Sequence, residues 1–113
     1  MRYSDAMLTR ARLREKIKPI TRRMRGIAQT YRIGILYLLA HEPMEVHTIT
    51  DSLGLAENLV SHHLKQMYMS GWVLKTRKGR AVTYRLNEKA FFEFNRLFED
   101  TPFEKDVLSK YHK

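Results

Sequence analysis

Residues 57–67 read Glu57-Asn58-Leu59-Val60-Ser61-His62-His63-Leu64-Lys65-Gln66-Met67, and Gly71 follows four residues later. Then come Trp72-Val73-Leu74, the basic run Thr76-Arg77-Lys78-Gly79-Arg80, and Ala81-Val82-Thr83-Tyr84-Arg85-Leu86. Val60, Leu64 and Met67 recur at helical spacing, so they face a core and turn Asn58, Ser61, His62 and Lys65 outward. Gly71 ends that helix. The alternation in 72–74 and 81–86 predicts two strands, joined through the basic turn 77–80. A helix with a polar outer face beside a basic hairpin is the arrangement that seats a helix in a DNA groove with a wing next to it.

The residues before this stretch support the same reading. Val46, Ile49 and Leu53 mark a short amphipathic helix, and Gly54 supplies the left-handed conformation a chain reversal needs. Two helices joined by Gly54-Leu55-Ala56 read as a helix-turn-helix. Upstream, Thr30 is expected to cap an apolar helix over 31–41 that Pro43 ends, with Ile33, Leu36, Tyr37, Leu39 and Ala40 forming much of the core. Ser4 or Asp5 is expected to cap a first helix running to about residue 16, with Met7, Leu8, Ala11, Leu13 and Ile17 as apolar contacts. Pro19 predicts a kink or break after it. Leu13, Ile17, Ile20, Met24 and Ile27 recur at alternating four- and three-residue steps, a seam for a neighbour in the same chain or in a second copy. Beyond the hairpin, Asn87 is expected to cap a helix over 88–98 that carries Ala90, Phe91, Phe94, Leu97 and Phe98 on one broad face, with Phe92 nearer its edge. The tail after Pro102, with Phe103, Val107, Leu108 and Tyr111, predicts one more short helix.

Charge narrows the partner. Twenty-one Lys and Arg against twelve Asp and Glu leave the 113-residue chain at +9, which favours a polyanion, either nucleic acid or an anionic membrane surface. The excess is not evenly spread. Residues 1–32 hold ten basic and two acidic side chains (10 − 2 = +8), and residues 57–86 hold six against one (6 − 1 = +5). The apolar run 33–40 is far shorter than the roughly 20 residues that span a bilayer, and no apolar signal segment follows the basic N-terminus. No membrane partner is therefore expected, and the location expected is cytoplasmic, at the nucleoid. A chain this small buries a limited core, so a homodimer is expected.

Chemistry other than recognition finds little support. The chain has no cysteine, which removes disulfides, thiolate metal ligands, a thiol sensor and a cysteine nucleophile. There is no glycine-rich phosphate loop, and Ser61 and His62, adjacent on one helix, do not make a nucleophile and its base. An enzyme is not expected, and neither is a cofactor. For recognition, Asn58 can pair with adenine, and Ser61 and His62 can donate or accept at base edges. Lys65, farther along the helix, and Arg77, Lys78 and Arg80 suit the phosphate backbone or the minor groove. His63 points about 100° away from His62, which gives it a partly buried structural role.

Between residues 27 and 86 the chain resembles the ArsR-type (arsenical-resistance repressor) winged-helix family of small bacterial and archaeal transcription regulators. The resemblance is carried in order by Thr30-Tyr31-Arg32-Ile33-Gly34-Ile35-Leu36, Val60-Ser61-His62-His63-Leu64-Lys65, Gly71-Trp72-Val73 and Arg77-Lys78-Gly79-Arg80-Ala81-Val82-Thr83-Tyr84-Arg85-Leu86. It implies a mainly α fold with a small β-hairpin wing, a winged helix-turn-helix that dimerises through its N- and C-terminal helices and represses by occupying a promoter. On that pattern residues 1–113 form one domain: a basic N-terminal extension (1–29), a winged helix-turn-helix core (30–86) and a dimerisation helix with its tail (87–113). The interface side chains it implies are Leu13, Ile17, Ile20, Phe91, Phe94, Leu97 and Phe98. Familiar metal-sensing members use cysteines around the first helix of the helix-turn-helix, or His and carboxylate ligands on the C-terminal helix. Here Glu45 and His47 flank Val46 instead, and 88–98 contains no histidine. Two ligands fall short of a transition-metal site, so no metal site is expected, and the sequence leaves open whether a small-molecule or metal effector acts on the protein.

Double-stranded DNA is thus the expected partner, bound by a sequence-specific, homodimeric repressor without a cysteine sensor. Two other readings compete with it. The basic N-terminus could drive non-specific architectural binding of DNA or RNA, and the aromatic C-terminal face could serve a protein-interaction module.

Overall fold

The computed structural model describes residues 9–111, so the expected cap at Ser4 or Asp5 and the contacts of Met7 and Leu8 lie outside the described residues. The elements in order are α1 (Arg10–Arg25), α2 (Thr30–Leu39), β1 (Met44–Glu45), α3 (Val46–Leu53), α4 (Glu57–Met69), β2 (Val73–Lys78), β3 (Ala81–Leu86) and α5 (Glu88–Asn95). A tight helical turn, Arg96–Phe98, follows α5, and a final helical stretch runs through Glu104–Leu108 and Ser109–Tyr111. The expected helix over 88–98 is therefore shorter in its regular part.

The core is built where apolar periodicity is cleanest. Val60, Leu64 and Met67 of α4 are fully buried, as expected, and meet Ile35 and Leu39 of α2, Ile49 of α3, Val73 of β2 and Ala90 of α5. Val46 and Leu53 of α3 pack against this cluster. Gly54 takes φ 66° and donates its N–H to the Thr50 carbonyl at 2.8 Å, closing α3 and reversing the chain into α4. Gly71 takes φ 86° at the end of α4, again a conformation suited to glycine.

Several expectations within the described residues need correction. Pro19 lies inside α1 and does not end it. The helix is exposed there, so the Glu15 carbonyl that loses its i+4 partner can be hydrated. Thr9 caps α1, its side chain accepting the Arg12 N–H at 3.2 Å. Gln29 rather than Thr30 caps α2, accepting the Arg32 N–H at 2.9 Å. In α2, Ile33, Tyr37 and Ala40 are exposed while Ile35 and Leu39 are buried. The helix is apolar nearly all round, so periodicity could not select its inner face. Tertiary contact selects it, because α3, α4 and β3 all pack against α2 and bury Ile35 and Leu39.

The sheet is larger than a hairpin. β1 pairs antiparallel with β3 (Met44↔Tyr84, Glu45↔Thr83), giving the order β1-β3-β2. Two residues after Pro43 are too few to show strand alternation in the sequence. β2 begins at Val73 and runs through Lys78, which pairs with Ala81, so the turn is only Gly79-Arg80. Trp72 precedes the strand and acts as a joint instead. Its Nε1 donates to the Arg23 carbonyl at the end of α1, and its ring meets Phe91 of α5 edge-on at 5.0 Å. Asn87, expected as a cap, makes no side-chain capping bond; its Nδ2 donates to the Gly71 carbonyl at 2.8 Å and ties α5 to the end of α4.

Gly26 sits where α1 meets the end of α4, and a Cβ at Gly26 would overlap the Ser70 side chain. Its φ of −68° suits any residue, so the requirement is purely one of close approach. Gly26→Ala is expected to cost about 1–3 kcal/mol in urea unfolding. Combining it with Ser70→Gly should recover part of that loss.

Candidate nucleic-acid interface

The α4 helix has two opposed faces. Val60, His63, Leu64 and Met67 are buried, whereas Asn58, Ser61, His62 and Lys65, at i, i+3, i+4 and i+7, are all exposed. Ala56 at the N-cap position offers no side-chain acceptor, which leaves first-turn N–H groups free beside this polar stripe. The stripe is continuous and its chemistry mixed, with an amide, a hydroxyl, an imidazole and an ammonium along one side of a rigid rod.

His63 fixes how that rod is held. Its Nδ1 accepts a hydrogen bond from Arg32 Nε of α2 at 3.0 Å, and Arg32 Nη1 donates on to the Gly26 carbonyl at 3.4 Å. An acceptor at Nδ1 places the imidazole proton on Nε2. Burial, then the Arg32 guanidinium, then His62 lower the His63 pKa below its ordinary value of 6.5. The ring of Tyr31 packs 6.0 Å from that of His63, bringing the start of α2 against α4. His63 thus has the structural position expected of it. Its partner Arg32 carried no sequence signal, since the pair is separated by 31 positions.

Arg77, Lys78 and Arg80 are exposed, but the register divides them. Directly paired residues share a face, so Val73/Leu86, Lys75/Tyr84 and Arg77/Val82 occupy one side, and Leu74/Arg85, Thr76/Thr83 and Lys78/Ala81 the other. Val73 is buried, which turns the first side toward the helices. Lys75 confirms this, with its Nζ 4.4 Å over the Tyr68 ring of α4. Arg77 continues the face that looks toward α4, while Lys78 leaves the opposite face with Arg85, whose Nη1 donates to Thr76 Oγ1 at 2.9 Å. Arg80 stands in the turn. Lys75 was not singled out in the sequence, although its spacing of two from Arg77 puts both on one side of a strand.

The interface candidates at the two ends of the chain occupy a different region. Leu13 and Ile20 are half-buried and Ile17 is exposed on α1. Phe91 packs on Trp72 within its own chain, and Phe94 meets Phe98 edge-on at 6.0 Å, with Leu97 and Phe98 half-buried. α1 and α5 come together through the Arg23–Glu93 ion pair and a groove lined by Ile20 and Leu97. Elsewhere, Glu45 Oε2 lies 3.3 Å from His47 Nδ1, and among the described residues no group of three or more His, Asp or Glu converges as metal ligands.

A helix-turn-helix with a polar outer stripe, followed by a basic two-stranded wing, defines a winged helix-turn-helix domain. Residues 31–75 match the family described as bacterial regulatory protein, arsR family. The HTH-type transcriptional repressor SmtB of Mycobacterium tuberculosis is 40% identical over 63 residues, which cover 56% of this chain and 47% of that protein. The HTH-type transcriptional regulator NmtR of the same species is 30% identical over 63 residues, 56% of this chain and 52% of that protein. The chain spans about half the length of the curated relatives it matches. A solution structure from Mycobacterium bovis, a homodimeric winged helix-turn-helix DNA-binding domain and possible ArsR-family regulator, superimposes with TM-score 0.66 at 22% identity, covering 94% of this chain and 96% of that one. The chain thus has the winged helix-turn-helix fold, and its residues 31–75 are similar to the arsR family of regulators.

Because the folded state holds His63 neutral, acid acts against the fold. The unfolded chain takes up a proton as pH falls through about 6.5 and the folded chain only at lower pH, so the stabilisation is complete above that value and is lost below it. The thermal midpoint is expected to fall between pH 7 and pH 5. His63→Asn, which keeps an acceptor for Arg32 but does not titrate, should flatten part of that fall; an unchanged pH profile would remove His63 as its source.

Proposed function

We propose that this protein is a sequence-specific, DNA-binding transcriptional repressor that acts as a homodimer. The observation that carries the reading is the polar stripe Asn58, Ser61, His62 and Lys65, set opposite the buried Val60, Leu64 and Met67. An α-helix fits the major groove, where base edges present a distinct pattern for each pair. Asn58, Ser61 and His62, in the first half of α4, read bases. Lys65 holds backbone, and Arg77 and Arg80 do so from the wing; Lys78 reaches phosphate from the outer face of the hairpin. Relatives named as transcriptional regulators, one of them a repressor, support the class of activity and make an enzyme the wrong category.

The homodimer joins α1 to α5 through Leu13, Ile17, Ile20, Phe94, Leu97 and Phe98, with Phe91 linking that surface to Trp72. Apolar side chains left exposed on α1 and in the C-terminal segment, among them Ile17, Met24, Phe103 and Leu108, support this pairing. The M. bovis relative, whose fold this chain shares, is itself described as homodimeric. Residues 1–29, 30–86 and 87–113 then serve as basic extension, reading core and dimerisation segment of one domain. No helix among the described residues is long and apolar enough to cross a membrane, and a DNA reader of this kind works in the cytoplasm, at the nucleoid.

A fluorescence-anisotropy titration against the protein's own promoter tests the proposal. Binding should exceed that of random duplex and weaken steeply with salt as counterions are released. Ser61→Ala or His62→Ala should change preference at particular base pairs by about 1–3 kcal/mol, whereas Arg77→Ala should weaken all duplexes alike. Equal affinity for promoter and random duplex would overturn the sequence-specific reading.

A further inference from the structure

The α1 helix lies outside the segment that matches the family, yet it carries much of the excess charge. Its side chains sort into three faces. Leu13, Ile17, Ile20 and Met24 form the apolar stripe. Lys16 and Arg23 face the acidic end of α5, where Arg23 pairs with Glu93, and Lys16 lines a groove with Glu93, Glu99 and Asp100. The third face is different. Arg14, Lys18, Arg22 and Arg25 stand at i, i+4, i+8 and i+11, a column about 16 Å long at 1.5 Å per residue. All four are exposed and line one shallow groove with Ile17 and Thr21. Among the described residues none of the four takes part in an ion pair.

We infer that the column Arg14, Lys18, Arg22 and Arg25 is a second, sequence-independent clamp on the phosphate backbone of duplex DNA flanking the site read by α4. The inference rests on the DNA-binding reading above. Uncompensated cations repeated once per helical turn suit a regularly charged polymer, and the face carries no aromatic side chain on which unpaired bases could stack. Its position joins it to the reading helix. The column ends at Arg25, next to Gly26, which lies against Ser70 at the end of α4 and is tied through Arg32 to His63. Ile17 stands at the edge shared by the apolar stripe and the groove, and Lys18, Arg22 and Arg25 lie farther round the helix, so dimerisation through the stripe leaves them open. A duplex seated on α4 then continues past the end of that helix, where α1 meets it, onto the column.

The test compares two duplexes centred on the same promoter site, one trimmed to the site and one extended by a helical turn at each end. Wild-type protein should bind the longer one more tightly. Lys18→Gln with Arg25→Gln should abolish that length advantage and make the salt dependence shallower by about 1.8 per protomer, at about 0.9 per phosphate contact. Arg14→Gln with Arg22→Gln should do the same. Arg12→Gln with Lys16→Gln removes the same charge from another part of α1 and should keep the advantage, with circular dichroism and sedimentation matching all variants for fold and assembly. A wild-type protein indifferent to duplex length, or equal losses in column and control variants, would overturn the inference. So would column variants that lose binding to single-stranded RNA, or to phosphatidylglycerol-containing vesicles, while keeping the long duplex. Failure of the wild-type protein to bind even the trimmed site would instead remove the DNA-binding reading itself.

Discussion

Burial of one face of α4 is the constraint on which the rest of the molecule depends. Val60, Leu64 and Met67 have no exposed surface, and each contributes about 1.5–3 kcal/mol of apolar burial. Because the side chains of a helix are fixed relative to one another, seating these three also aims Asn58, Ser61, His62 and Lys65 at a common surface. The α2 helix, α3 and β2 supply the seat, and the left-handed glycines 54 and 71 let the chain enter and leave α4 within a few residues. The packed core and the exposed polar stripe are thus two sides of one helix, and His63, buried on the packed side with Arg32, joins α4 to α2 and the end of α1.

What could be read without coordinates follows from where periodicity is unambiguous. α3 and α4 alternate apolar and polar residues at helical spacing, and their ends carry glycine, so element, inner face and outer face were all legible. α2 is apolar on nearly every side, and only its neighbours decide that Ile35 goes in and Ile33 and Tyr37 stay out. Of the kink or break expected at Pro19, the break does not occur, because its cost depends on whether the freed carbonyl meets water, a tertiary property. The wing was legible as a hairpin but not in its register. Once Lys78 pairs with Ala81, Arg77 and Lys78 must leave opposite faces, and Lys75 joins Arg77 on the helix side. Arg32 was hidden for a further reason, since its partner is remote in sequence.

Charge is organised by the same architecture. The acidic groups near the end of α5 lie against Lys16 and Arg23, and the Arg23 guanidinium holds the Glu93 carboxyl below its ordinary pKa, with Lys89 and Arg96 acting in the same direction. The face of α1 carrying Lys16 and Arg23 thereby meets acidic partners, and the face carrying Arg14, Lys18, Arg22 and Arg25 is left with four cations in a row. In the winged region Lys65 of α4 and Arg77 and Arg80 of the hairpin are exposed.

The central claim, that the exposed stripe of α4 is the surface that meets DNA, is tested most directly by backbone NMR spectra of isotope-labelled protein titrated with a promoter duplex. The largest shifts are expected on Asn58, Ser61, His62 and Lys65, followed by Arg77 and Arg80 of the wing, while Ile49 and Ala90 in the core move little. Shifts concentrated instead on Phe94, Phe98 and Phe103, with the α4 stripe silent, would contradict it.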